Sequence, residues 1–173
     1  MTYLFFEELR EMLEREVCPR ISLKRPVQGD DVAFALTPPV ISIGWPEEEI
    51  TSPVLRDRIP GIAIGLDGSA SDDGEVRLIP VQLACIVYSP GTHTGPGELD
   101  ISRRNGYQDL VNLVDLTVRA IRRGDPVTPH LTLAKPEIEW WADGDSYGDY
   151  WLGGVSCTLK AAPIPGRGET DLL

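Results

Sequence analysis

Residues 76–88 read VRLIPVQLACIVY, and this stretch decides the fold. Ile79, Val81, Leu83, Cys85 and Val87 place an apolar side chain at every odd position from 79 to 87, with Arg77 and Gln82 breaking the pattern on either side of it. Side chains in a strand alternate between two faces, so this spacing predicts one long strand whose odd face is buried along its whole length. Just upstream, IPGIAIGLDG (59–68) supplies a second strand, and GSASDDGE (68–75) supplies turn residues between the two. An antiparallel hairpin is the expected pairing.

Working outward, Phe5, Leu9, Met12 and Leu13 recur at helical spacing, with Glu7, Glu8, Glu11 and Glu14 elsewhere on the cylinder. They predict an amphipathic helix from Tyr3 to about Glu16, ended by Pro19. A mixed stretch through Pro26, Gly29 and Asp30 leads to VISIGW (40–45), a strand entered at a sheet edge because the preceding prolines donate no hydrogen bond to a ladder. Residues Pro46 to Pro60 read as a long surface loop, as do Ser89 to Arg104 (SPGTHTGPGELDISRR).

A second helix is expected from Asn105, with Asn105 and Gln108 as a capping box and Asp109 in the first turn. Tyr107, Leu110, Val114, Val118 and Ile121 form its apolar stripe, widened by Leu113, Leu116 and Ala120. Arg119, Arg122 and Arg123 suit its negative end, and Gly124 stops it. EIEWW (137–141) and YWLGGVSCTLKAA (150–162) then predict a closing hairpin around ADGDSYGD. The expected architecture is α+β: a mostly antiparallel sheet of four to five strands, with the long helix and the N-terminal helix packed on one face. Residues 1–162 would form a single domain, and 163–173 an extended or flexible tail.

The formal charge of -11, from 27 Asp and Glu against 16 Lys and Arg, opposes tight binding of nucleic acid or anionic membranes. No apolar run has the length needed to span a bilayer, and the first residues lack the pattern of a signal peptide. Cys18, Cys85 and Cys157 are far apart, odd in number and set among apolar residues, which fits buried thiols in a reducing cytosol.

Catalytic signatures are sparse. The two histidines, His93 and His130, stand beside no nucleophile motif, and Gly68-Ser69-Ala70-Ser71 falls in a hairpin turn instead of a strand-to-helix elbow. Asp143, Asp145 and Asp149 superficially resemble alternating calcium ligands, without the longer loop and closing bidentate Glu that such a site uses. His93 with Glu98 and Asp100 is one histidine in a polar loop, a weak metal signature. No phosphate-cradling glycine motif is present. The expectation is therefore no enzyme, no cofactor and no metal. Trp140, Trp141, Tyr147, Tyr150 and Trp151 crowd the closing hairpin, either as cross-strand packing or as a subunit interface.

The order of these pieces resembles the bacteriophage tail terminator, or tail completion, proteins, including minor tail proteins of long-tailed phages. The matching stretches are PPVISIGW, RDRIPGIAIGLDG, VRLIPVQLACIVYS, GYQDLVNLVDLTVRAIRR and YGDYWLGGVSCTL, with GYQDLVNL (106–113) the most telling. The resemblance implies a virion subunit, assembled in the host bacterial cytoplasm, that closes the tail tube as a ring, usually a hexamer, and docks the head connector. Its partners would be further copies of itself, the tube protein and the head completion protein, with genomic DNA passing through unbound and no membrane contact. Contacts would then fall on Glu47, Glu48 and Glu49, on His93, Glu98 and Asp100, on Trp141, Tyr147 and Tyr150, and on Arg167 in the tail. Two other readings stand beside it: another neck or tail subunit, such as a head-closure or tube protein, and a small hydrolase using His93 or His130.

Overall fold

The structure, a computed structural model, describes residues 2–27, 30–44, 57–73, 75–90, 101–124 and 126–161. The acidic triplet Glu47–Glu49, the loop residues His93, Glu98 and Asp100, and the tail with Arg167 lie outside the described residues.

The chain opens with helix α1 (Thr2–Glu16). Phe5, Leu9, Met12 and Leu13 point inward and are at most 3% exposed. Val17 N closes the last turn on Leu13 O at 2.8 Å, and Pro19 then sits in a short 3-10 turn, Cys18–Arg20. Proline has no N–H to continue an α-helical ladder, which explains the stop.

Two strands follow where no element was expected. β1 (Leu23–Val27) and β2 (Asp30–Thr37) pair antiparallel as a separate two-stranded sheet. The sequence hid them because Phe34 and Leu36 stay exposed, so the segment lacks the apolar-in, polar-out rhythm of a half-buried strand.

The main sheet contains seven strands among the described residues. β3 (Val40–Ile43), β4 (Gly61–Leu66), β5 (Ser71–Asp72) and β6 (Arg77–Tyr88) precede helix α2 (Ile101–Arg123). β7 (Leu131–Leu133), β8 (Glu139–Ala142) and β9 (Tyr150–Ala161) follow it. The order is β3-β4-β6-β9-β7, with β5 on β6 and β8 on β9. The expected β4–β6 and β8–β9 hairpins are both present and antiparallel. The expectation of four to five strands was too low: the short strands β5 and β7 are too brief to show a period. The sheet is also mixed, because β3 runs parallel to β4, Val40 opposite Gly61. Parallel neighbours need a long crossover, and the segment between them, most of it the Pro46–Pro60 stretch read from sequence as a surface loop, provides its length.

Helix α2 begins at Ile101, four residues before the position expected, so Asn105 is an interior residue and no N-cap, and Asp109 lies beyond the first turn. Asn105-Gly106 reads as a start because both are poor helix formers. Packing overrides that preference, since Gly106 is buried against Trp151.

The odd face of β6 behaves as its spacing predicts: Ile79, Val81, Leu83, Cys85 and Val87 are all 0% exposed. They join Val155 and Leu159 of β9, the inner residues of α1, and Leu110, Leu113, Val114 and Ile121 of α2 in one core cluster. On the opposite face a smaller cluster gathers Ile59, Ile86 and Tyr88 with Tyr150 and Leu152.

Candidate interaction surface

The aromatic hairpin β8–β9 is divided by its pleat. Trp141 pairs directly with Gly154, and its indole covers that glycine so closely that an added β-carbon would come within 2.8 Å of Trp141 Nε1. Such stacking over a strand glycine supplies the side-chain packing the glycine lacks. Trp141 is thus committed on one side to its own chain, with 39% of its surface left to solvent. Tyr150 is held likewise, its ring 5.4 Å from that of Tyr88. Tyr147 is 55% exposed at the turn, where its N–H donates to Tyr150 O at 2.8 Å. Gly148, at φ +64°, supplies the left-handed residue that this turn needs.

Trp140 points the other way and is 56% exposed. With Val111, Val114, Asp115, Val118 and Arg122 it lines a groove of about 240 Å³ between β8 and α2. The sequence placed Trp140 in the aromatic cluster but did not single it out. Its even position opposite Trp141 on the pleat was the available signal.

A second feature arises from β1 and β2. Its base is anchored, with Leu23 buried and Lys24 Nζ donating to Ser89 Oγ at 3.2 Å. Lys24 also lies over the Phe34 ring, 5.3 Å from its centroid. Val27, Phe34 and Leu36 of this hairpin are 40%, 47% and 67% exposed, Leu36 opposite Lys24, which leaves apolar surface on the arm.

The titratable groups are disposed as structural ties. His130 Nδ1 lies 2.6 Å from Glu8 Oε1, and Thr128 Oγ1 donates to Glu8 Oε2 at 2.7 Å, fastening α1 to the turn before β7. Burial would raise the Glu8 carboxyl, but the hydrogen bonds from Thr128 and His130 and the charge of His130 outweigh it and hold Glu8 below the usual range. Burial pushes the thiols of Cys85 and Cys157 up to about 12, and Cys18 is raised as well while its Sγ donates to Pro39 O at 3.2 Å. Asp143, Asp145 and Asp149 are spread around the β8–β9 turn, and among the described residues no group of three or more His, Cys, Asp or Glu is placed to hold a metal ion. No helix among the described residues is long and apolar enough to cross a membrane.

No protein-family model and no curated protein matches the sequence.

Proposed function

We propose that this chain is a structural virion subunit that closes the end of a phage tail tube as a ring and presents the docking face for the head connector. One observation carries the reading: the stretches that resemble the tail terminator proteins are neighbours in the fold. PPVISIGW, RDRIPGIAIGLDG, VRLIPVQLACIVYS and YGDYWLGGVSCTL contribute the adjacent strands β3, β4, β6 and β9, and GYQDLVNLVDLTVRAIRR is the helix that covers them.

The charge balance fits the same role. A ring of such chains carries a strong negative charge, and a channel lined by its acidic residues would let DNA slide past, because phosphate binding is driven by Lys and Arg. Exposed Tyr147 and Trp140 suit contacts with neighbouring subunits, since aromatic side chains are enriched at interfaces. The finer assignment of Glu47–Glu49, His93, Glu98, Asp100, Trp141, Tyr147, Tyr150 and Arg167 as contact residues belongs to this proposal.

The test is the absolute mass in solution by light scattering on a sizing column, followed by imaging of purified tail tubes mixed with the protein. A species near six times 19.0 kDa with a central hole, or caps on the tube ends, supports the ring. Neither rings nor caps at high concentration would sink it.

A further inference from the structure

We infer that the arginine-rimmed recess between the ends of α1 and α2 receives the acidic β8–β9 turn of a second copy of this chain, a contact that deepens the ring reading and rests on it. Glu16, Arg20, Arg119 and Arg123 rim a recess of about 40 Å³ over Leu116 and Ala120. Three cations from two elements thus face one carboxylate, on a chain whose formal charge is -11. The attraction of a helix C-terminus for cations accounts for Arg122 and Arg123 at the end of α2. It does not account for Arg20, which reaches the same recess from the turn after α1.

Local partners leave positive charge uncompensated. Glu16 is shared between Arg15 at 3.2 Å and Arg20 at 3.4 Å, and Arg119 holds Asp115 at 2.7 Å in an exposed pair of little stability. Among the described residues Arg122 and Arg123 have no ion-pair partner.

The same chain carries the complement. Between Lys135 and Lys160 the sequence has five carboxylates and no cation. Three of them, Asp143, Asp145 and Asp149, surround the β8–β9 turn, and none of the three is in an ion pair among the described residues. Tyr147 stands 55% exposed midway between Asp145 and Asp149. A small recess rimmed by guanidinium groups suits a carboxylate head, and a planar guanidinium beside it suits the face of a tyrosine ring. With Asp145 in the recess and Tyr147 laid against the arginine rim, one turn meets both requirements.

The two patches stand at opposite ends of the subunit. Gly106 of α2 lies against Trp151 and Leu110 against Gly153, so the helix and β9 run in the same direction. The acidic turn precedes β9, whereas Arg123 lies about 26 Å further along the helix than Gly106, at about 1.5 Å per residue. Such patches cannot meet within one subunit. Between copies they make a heterologous contact, the kind that a cyclic ring repeats.

The experiment uses two full-length charge-reversal variants, Arg123→Glu and Asp145→Arg, alone and mixed in equal amounts, with light scattering across a concentration series. Both positions are exposed and circular dichroism checks folding; Arg119→Glu with Asp149→Arg is the second pair should either variant unfold. The wild type is expected to self-associate, and each variant alone to associate at least about tenfold more weakly, since like charges then face each other. The mixture should recover wild-type affinity, because each reversed patch meets the reversed patch of the other variant. A merely destabilised fold gives no such recovery. An oligomer that neither variant weakens, or that mixing does not restore, overturns the contact while the ring stands. A wild-type chain that stays at 19.0 kDa also overturns it, and tube capping then decides the ring reading separately. If Arg123→Glu abolishes binding of a DNA duplex and leaves the oligomer intact, the recess belongs to phosphates and the contact is overturned.

Discussion

Gly106 of α2 lies against the indole of Trp151 on β9, so closely that a β-carbon at position 106 would collide with its Nε1 and Cδ1 atoms and would come 2.8 Å from Ser89 Cβ. The glycine lets the helix settle onto the sheet at the point where Tyr107 tilts across Trp151, ring centroids 5.9 Å apart. It costs helix propensity of about 1 kcal/mol relative to alanine, which close packing offsets.

Gly106→Ala should therefore destabilise the protein in spite of alanine's better propensity. Overpacking a tight contact costs about 1–3 kcal/mol, and the upper end is expected because backbone and a buried indole must both move. Urea unfolding of the variant, read by Trp fluorescence, measures the loss. A variant as stable as wild type would mean that helix and sheet have slack at this contact.

The Glu8 tie gives the protein an acid-sensitive fastening. The folded state holds Glu8 below its ordinary value, so its contribution is complete above the unfolded carboxylate range and is lost as pH falls through the folded value. Glu8→Gln should cost about 1 kcal/mol at neutral pH. The gap in urea midpoint between variant and wild type should then close as the pH is taken below about 4, the unfolded Glu range. A gap constant with pH would assign the effect to packing instead.

Thiol reactivity checks the core independently. Cys85 and Cys157 are buried with their ionisation pushed up to about 12, and Cys18 is raised by burial and by Glu14. A colorimetric disulfide reagent at pH 8 should label the native protein slowly and at no more than the Cys18 site, because only the thiolate attacks. Denaturant should release all three thiols. Rapid native labelling of more than one would place Cys85 or Cys157 outside the packed core.

What the sequence made legible depends on whether a single face was buried. β6 was readable residue by residue because its odd side chains go into one core and alternate with a less buried face. α1 was readable for the equivalent helical reason. The β1–β2 arm was not, since Phe34 and Leu36 stay exposed and so impose no buried face on the pattern. The parallel pairing of β3 with β4 was hidden because strand direction leaves no mark on composition, only on the length of the connection. Tyr107 was placed in the buried stripe of α2 and is 41% exposed, because the close approach of Gly106 leaves its ring lying over the edge of Trp151. Of the candidate contact residues, Trp141 and Tyr150 were legible as aromatics in a hairpin, but their attachment to Gly154 and Tyr88 depends on register, which spacing alone does not fix.

Asp109 should be a destabilising residue at neutral pH. Burial raises its carboxyl above the ordinary value, and the nearby charge of Lys24 offsets only part of that effect. For an acid whose folded value is raised, the folded state binds the proton more tightly than the unfolded chain. Stability is then greatest below the unfolded value and declines as pH rises from there through the folded one. Asp109→Asn should consequently raise the urea midpoint at pH 7, with the advantage shrinking as pH is lowered through about 4. Lys24→Met should act in the opposite direction by removing the offsetting charge, and most of that loss should vanish in the double variant, since the two groups are coupled. Additive effects would show that Lys24 stabilises the arm through Ser89 and Phe34 alone, without serving the half-buried carboxylate.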